Sequence, residues 1–139
     1  MPFIRITLFS RKLDATEMTR LQSGVTGLMT SVLRKPLRGT AVLLEQPAVA
    51  SWSIADNAVA LAAHVEVVIG RGTNTAVEKA SFVAEMMQLL RDVLGPELPD
   101  ETYVVVHEID RESYGRGGVT RAARDREDQA GVATLDRLG

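Results

Sequence analysis

The sequence contains no cysteine, and this absence removes several kinds of chemistry together. Without thiols there is no disulfide, no thiolate nucleophile and no zinc–thiolate site. Histidine is also scarce: His64 and His107 are the two in the chain, and no cluster of carboxylates at metal-ligand spacing accompanies them. We therefore expect a protein that uses neither a metal nor another cofactor.

A surplus of charge and a long apolar run are missing as well. Sixteen basic and eighteen acidic residues give a net charge of −2, which argues against a nucleic-acid partner, because phosphate binding needs an excess of cations. No apolar run approaches the roughly 18 residues that a membrane-spanning helix requires, and the N-terminus lacks a signal-peptide pattern. We expect no membrane partner and a cytoplasmic location. A chain of 139 residues predicts one domain.

What the chain does contain is a pattern that occurs twice, displaced by about sixty residues. Each copy reads as a strand, an amphipathic helix and a second strand. The predicted elements are strand 3–9, helix 15–34 and strand 40–45 in the first copy, and strand 64–69, helix 75–94 and strand 103–109 in the second. The repetition predicts two tandem βαβ units.

Start and stop signals support both helices. Asp14 with Glu17, and Thr75 with Glu78, have the spacing of a capping box, in which the first side chain and the acidic residue three positions later satisfy each other's backbone N–H groups. Gly95, followed by proline, predicts the end of the second helix.

The connections predict the fold class. A βαβ crossover makes its two strands parallel, and both second strands are nearly continuous apolar runs that suit a buried position in a sheet. We expect an α/β protein with a four-stranded sheet and both helices on one face. The other face would remain bare in a monomer, which favours oligomerisation.

Each copy ends in an irregular stretch in which serine precedes a large aromatic residue. The pairs are Ser51-Trp52 and Ser113-Tyr114. In the second copy, glycines follow the tyrosine and permit the backbone angles of a tight turn. Both stretches read as hairpins closed by an aromatic side chain.

These features together resemble the tautomerase superfamily, whose simplest member is 4-oxalocrotonate tautomerase. The resemblance rests on Pro2 directly after Met1, on βαβ units of about sixty residues, and on the closing sequence Tyr114-Gly115-Arg116-Gly117-Gly118. It covers 2–59 and 61–118, two repeats of a single domain 1–118, and leaves 119–139 as a C-terminal tail that reads as a solvated helix or loose arm. The doubled length resembles the fused members of the superfamily and implies a homotrimer.

The resemblance also implies a reaction. If Met1 is removed, Pro2 has a free secondary amine, which acts as the general base in a keto–enol tautomerisation of small 2-oxo (enol) acids. An ordinary α-amino group titrates near pH 8, and burial or nearby cations favour its neutral form. The second copy has Leu61 in the corresponding place, so each chain has one such amine.

Five further residues are candidate substrate-binding groups. Arg71 matches the position of a carboxylate-binding arginine in the short tautomerases, although a turn arginine facing solvent is an equally simple interpretation. Tyr103 takes the place of a second arginine, and Arg38 is a possible replacement cation. Trp52 and Tyr114 would wall the pocket, with ordinary packing roles as the alternative.

Other reactions are known on this fold, and the sequence departs from their patterns. A dehalogenase or hydratase would need a histidine at Met29 and a glutamate close to Gly115, whereas the nearby carboxylate is Glu112. A decarboxylase would need an aspartate near Arg38. A last alternative is a non-catalytic oligomeric binding module, which applies if Met1 is retained and Pro2 is an amide.

Overall fold

The structure, a computed structural model, describes residues 2–138. Its elements in chain order are β1 (Phe3–Phe9), α1 (Ala15–Ser31), β2 (Ala41–Glu45), β3 (Ser53–Ile54), β4 (Asn57–Ala58), β5 (Ala62–Gly70), α2 (Ala76–Leu94), β6 (Tyr103–Ile109), β7 (Gly115–Arg116), β8 (Val119–Thr120) and α3 (Arg121–Leu138).

One mixed sheet of four strands forms the centre of the fold, in the order β2-β1-β5-β6. Within each half the two strands are parallel, β1 with β2 and β5 with β6. The two central strands run antiparallel, with Phe3 opposite Val68 and Phe9 opposite Ala62. The halves therefore point in opposite directions, and the start of β1 lies beside the end of β5.

The core lies between the sheet and the two long helices. Strand residues alternate, so that Ile4, Ile6 and Leu8 are buried while Arg5 between them is exposed. Helices α1 and α2 pack against each other and against this buried face. Their fully buried side chains are Leu21, Val25 and Met29 from α1 and Phe82, Met86 and Leu90 from α2. The predicted α/β fold, with a four-stranded sheet and both helices on one face, is confirmed.

Both predicted capping boxes are present at the helix starts, with Asp14 paired to Glu17 and Thr75 to Glu78. Helix α1 ends at Ser31, earlier than the predicted 34. The reason lies in the next residues. Arg34 has a left-handed backbone with φ of 57°, and a residue before proline, here position 35, is disfavoured in the helical conformation.

Within residues 2–138, α1 and α2 both pack on the buried face of the sheet, and the opposite face holds a small charged cluster. Glu66 Oε1 lies 3.4 Å from His64 Nε2 and 3.5 Å from His107 Nε2. Hydrogen bonds from His64 and then His107 lower the pKa of Glu66. Phe3, at the start of β1, is exposed on this face. A face of this kind, part apolar and part charged, is available for contact with another chain.

The tail forms a third helix, α3, that begins directly after the β7–β8 hairpin. Its first five residues are partly buried, whereas residues 126–135 are exposed. The predicted boundary between domain and tail, at 118, falls inside the hairpin. Among residues 2–138, no helix has the length and apolar character needed to cross a bilayer. The division into repeats 2–59 and 61–118 stays a prediction.

Candidate active site

Four chain segments meet at one end of the sheet, which we call the Pro2 end. They are the start of β1, the start of β2, the end of β5 and the end of β6, and the strand directions bring them together. Continuing the register of β1 and β5 places Pro2 opposite Ile69. Pro2 is buried, and its carbonyl oxygen accepts a hydrogen bond of 3.2 Å from the backbone N–H of Ala41.

Arg71 lies at the Pro2 end, directly after β5. Its backbone N–H donates to the carbonyl of Ile109 at 2.9 Å, which fixes the turn against the end of β6. Its guanidinium Nε lies 2.6 Å from Asp110 Oδ1, and 65% of its side chain is exposed. A carboxylate is thus already bound to Arg71 in the single chain, and this carboxylate belongs to the protein.

Tyr114 also lies at the Pro2 end, with its hydroxyl against Gly70. A Cβ atom placed on Gly70 would lie 2.7 Å from the Tyr114 hydroxyl oxygen, so the absence of a side chain at residue 70 makes room for the ring. Burial raises the pKa of the Tyr114 phenol. The hydroxyl is therefore protonated at neutral pH and is available as a hydrogen-bond donor.

Arg38 lies in the exposed turn that precedes β2. Because β2 starts beside the start of β1, this turn is also at the Pro2 end. The turn is held by the Thr40 hydroxyl, which donates to the carbonyl of Pro36 at 2.8 Å. Arg38 therefore lies at the same end of the sheet as Pro2 and Arg71.

Tyr103 and Trp52 lie at the opposite end of the sheet. Tyr103 starts β6 opposite His64 and is largely exposed. Trp52 stacks on Phe9, the last residue of β1, with ring centroids 6.4 Å apart. The seven residues of β1 span about 20 Å, so a single chain does not bring these two aromatic residues to Pro2.

One group at the Pro2 end was missed by the sequence reasoning. Lys35 is half-buried, and its Nζ donates to Thr73 Oγ1 at 2.7 Å, while Thr73 Oγ1 donates to the Gly70 carbonyl at 2.7 Å. Burial lowers the pKa of Lys35, and the neighbouring Arg34 lowers it further. The sequence gives only a weak indication of this residue. A lysine that precedes a proline predicts that the helix ends there, but it does not predict that the lysine is partly buried.

A cleft of about 430 Å³ lies at the opposite end of the sheet, between the end of β1 and the loop after β2. It contains Lys12, the residue that the predicted repeats align with Arg71. Its lining residues are Leu8, Phe9, Ser10, Lys12, Gln46, Pro47, Ala48 and Val49. The cleft is therefore separate from Pro2 within one chain.

Comparison with known proteins gives a result for the fold. No protein-family model and no curated protein matches the sequence. The solved structure of Q0 fused 4-OT (4-oxalocrotonate tautomerase), described as a wild-type symmetric trimer, superposes with a TM-score of 0.78 at 20% identity and covers 88% of this chain and 98% of that one.

Two other solved structures are similar. Pt0534 inactivated by 2-oxo-3-pentynoate has a TM-score of 0.77 at 16% identity, covering 88% of this chain and 98% of that chain. A macrophage migration inhibitory factor-like protein from Entamoeba histolytica has a TM-score of 0.70 at 14% identity, covering 86% and 97%. The chain therefore has the fold of the fused 4-OT structures, and the predicted resemblance is confirmed at the level of the fold.

Proposed function

We propose that the chain is a tautomerase of small 2-oxo (enol) acids in which Pro2 is the general base after removal of Met1. Met1 lies outside the described residues. The observation that carries the proposal is the position of Pro2: it is buried at the end of the sheet where Arg71, Tyr114 and Lys35 also lie. A base, fixed cations and a hydroxyl donor are the groups that an enolisation needs.

The proposed reaction moves one proton and changes no oxidation state. The neutral ring nitrogen of Pro2 takes a proton from the carbon next to the carbonyl, and the bond electrons move to form an enolate. The Tyr114 hydroxyl or the Lys35 ammonium donates a hydrogen bond to the developing oxyanion. The protonated Pro2 then gives this proton to the enolate oxygen, which completes the enol, and conversion of an enol to the keto acid follows the same steps in reverse. Burial and nearby positive charge favour the neutral form of the amine at pH 7.

We assign the substrate carboxylate to Arg71, with Arg38 as an additional cation. An arginine fork binds a carboxylate through two parallel hydrogen bonds. In the free chain Asp110 takes up part of this fork, so substrate binding includes an exchange of one carboxylate for another. Asp110 thereby holds the guanidinium in place before the substrate arrives.

We further propose a homotrimer in which Trp52 and Tyr103 complete the site of a neighbouring subunit. Both lie at the end of the sheet remote from their own Pro2, and the open sheet face offers a surface for assembly. The fused 4-OT structure described as a symmetric trimer has the same fold. The inactivation of Pt0534 by 2-oxo-3-pentynoate is compatible with a 2-oxo acid as the substrate class.

Hydration or dehalogenation would need a histidine at position 29 and a glutamate close to position 115, and neither position has such a group. Met29 is fully buried in the hydrophobic core. Gly115 has no space for a side chain, since a Cβ there would lie 2.1 Å from the carbonyl oxygen of Val119. We therefore favour tautomerisation over hydration or dehalogenation.

The test combines intact mass with kinetics. A chain lighter by one methionine has the free amine, and the Pro2→Ala variant should then convert phenylenolpyruvate at least about 100-fold more slowly than the parent. Pro96→Ala, at an exposed proline beyond α2, is the matched control and should keep the parent rate. Retention of Met1 would leave Pro2 without a basic nitrogen and favour a binding module on this fold. An unchanged rate in Pro2→Ala would show that Pro2 is not the base.

A further inference from the structure

A single carboxylate near the start of α3 binds two arginines, one from α3 and one from the loop between β6 and β7. Asp125 Oδ2 lies 3.0 Å from Arg111 Nη1, and Asp125 Oδ1 lies 2.9 Å from Arg121 Nε. The Asp125 side chain is only 18% exposed, whereas the side chains of Arg111 and Arg121 are 49% and 36% exposed and remain accessible to a ligand. Two cations and one anion leave the cluster with one net positive charge.

Backbone hydrogen bonds fix this cluster next to Tyr114. The N–H of Arg121 donates to the Tyr114 carbonyl at 2.9 Å, and the N–H of Ala122 donates to the Arg111 carbonyl at 3.0 Å. The Tyr114 ring in turn lies against Gly70. The start of α3 is thereby attached to the Pro2 end of the sheet, whereas residues 126–135 are exposed.

Lys35 is close enough to this cluster to be affected by it. Burial and then Arg34 lower the pKa of Lys35, Glu78 raises it, and the charges of Arg121 and Arg111 lower it further. Burial and Asp125 raise the pKa of Tyr114, and the same two arginines oppose that rise. Among the side chains that the structure describes, Lys35 makes no salt bridge; its ammonium donates to Thr73. Glu78 is paired with Arg34, and Asp125 is shared by two arginines, so the cations beside Tyr114 outnumber these two carboxylates and an anion would neutralise the excess.

We propose that the first turn of α3 belongs to the substrate site: Arg111 and Arg121, held by Asp125, form a positively charged wall beside Lys35 and Tyr114 that binds the anionic group of the substrate. The proposal rests on the proposed tautomerase function. The proposal assigns a function in substrate binding to α3. The match to fused 4-OT covers 98% of that chain but 88% of this one, and the remainder of this chain is comparable in length to α3.

The test compares three variants of the full chain. Arg121→Ala should raise KM for phenylenolpyruvate about 5- to 20-fold, because a charge-assisted contact with the substrate anion is lost, while kcat changes less than about twofold. Arg121→Lys retains the charge and should recover most of the affinity. Arg126→Ala removes an exposed arginine from the same helix and should leave both constants unchanged.

A binding measurement separates this proposal from the catalytic role of Pro2. In the Pro2→Ala background, calorimetric titration with phenylpyruvate measures affinity without turnover, and adding Arg121→Ala should weaken binding by the same factor as KM. The role of α3 would be overturned if Arg121→Ala left the affinity unchanged or if Arg126→Ala weakened binding equally. It would also be overturned if Arg121→Ala unfolded the protein and the folded fraction bound with parent affinity. Full activity of Pro2→Ala would refute the base and leave the binding result valid.

Discussion

The Tyr114 hydroxyl occupies the space in which a side chain at Gly70 would begin. A separation of 2.7 Å between that hydroxyl and a Cβ atom at residue 70 is too short for two non-bonded atoms. Residue 70 closes β5 at the Pro2 end, and Tyr114 precedes the hairpin that leads into α3. This contact therefore joins the central sheet to the C-terminal part of the chain.

Gly70→Ala should displace the tyrosine ring. We expect a loss of about 1–3 kcal/mol in the free energy of unfolding from overpacking, together with a fall in kcat/KM, measured by urea denaturation and by kinetics. Gly27→Ala is the matched control: it lies within α1, and a Cβ there meets nothing within 4 Å. That variant should be stabilised by about 0.5–1 kcal/mol, because alanine favours helix. Equal stability of the two variants would contradict the packing argument.

The pairing of Arg71 with Asp110 predicts opposite effects of two substitutions. Arg71→Ala should raise KM for phenylenolpyruvate about 10- to 100-fold through loss of the bidentate contact, whereas Asp110→Asn should lower KM by releasing the fork. Lys12→Ala changes the corresponding position of the first repeat and tests the specificity of the effect. If Lys12→Ala raises KM as much as Arg71→Ala does, the substrate is not bound at Arg71 alone.

The capping residues Glu17 and Glu78 should make the free energy of unfolding decrease at acidic pH. A hydrogen bond from Arg11 lowers the pKa of Glu17 to about 2, and one from Arg34 does the same for Glu78, from an ordinary value of 4.5. The unfolded chain therefore binds more protons between these values, so the stabilisation is complete above pH 4.5 and is lost as the pH falls towards 2. The midpoint of urea unfolding should decrease over this interval.

A variant with both substitutions, Glu17→Gln and Glu78→Gln, should show a shallower decrease, since glutamine retains the capping hydrogen bond but carries no charge. Glu85→Gln is the control, because Glu85 is exposed on α2 and makes no ion pair with any residue in the range 2–138. An unaltered pH dependence in the double variant would show that other carboxylates determine the acid response.

The strands and helix starts followed from local pattern, because alternation and the capping boxes act over a few residues. Strands 3–9 and 103–109 agree with β1 and β6. The end of α1 was misplaced because the left-handed backbone of Arg34 leaves no hydrophobic signal. Local pattern left residues 119–139 as a solvated helix or a loose arm, and it did not predict that Asp125 attaches the start of the helix at 121–138 to Arg111.

Which candidate residues lie near Pro2 depends on how the two βαβ units pair with each other, and the local sequence pattern does not contain this information. Each βαβ unit fixes its own strands as parallel, but the antiparallel pairing of β1 with β5 is a property of the assembled sheet. That pairing places Arg71 and Lys35 at the Pro2 end and moves Tyr103 and Trp52 to the other. The candidate residues chosen from sequence therefore combined two ends of one molecule.

Mixed trimers test whether those two ends meet between subunits. Pro2→Ala and Trp52→Ala should each be poorly active alone. If Trp52 serves the Pro2 of a neighbouring chain, an equimolar co-refolded mixture contains sites that combine an intact Pro2 from one variant with an intact Trp52 from the other. Random assembly gives about a quarter of the sites this composition, so the mixture should recover about a quarter of the parent activity. Trp52→Phe, which retains an aromatic ring, serves as the conservative control. A mixture no more active than its components would place Trp52 outside the neighbouring site, because defects confined to single chains cannot complement one another.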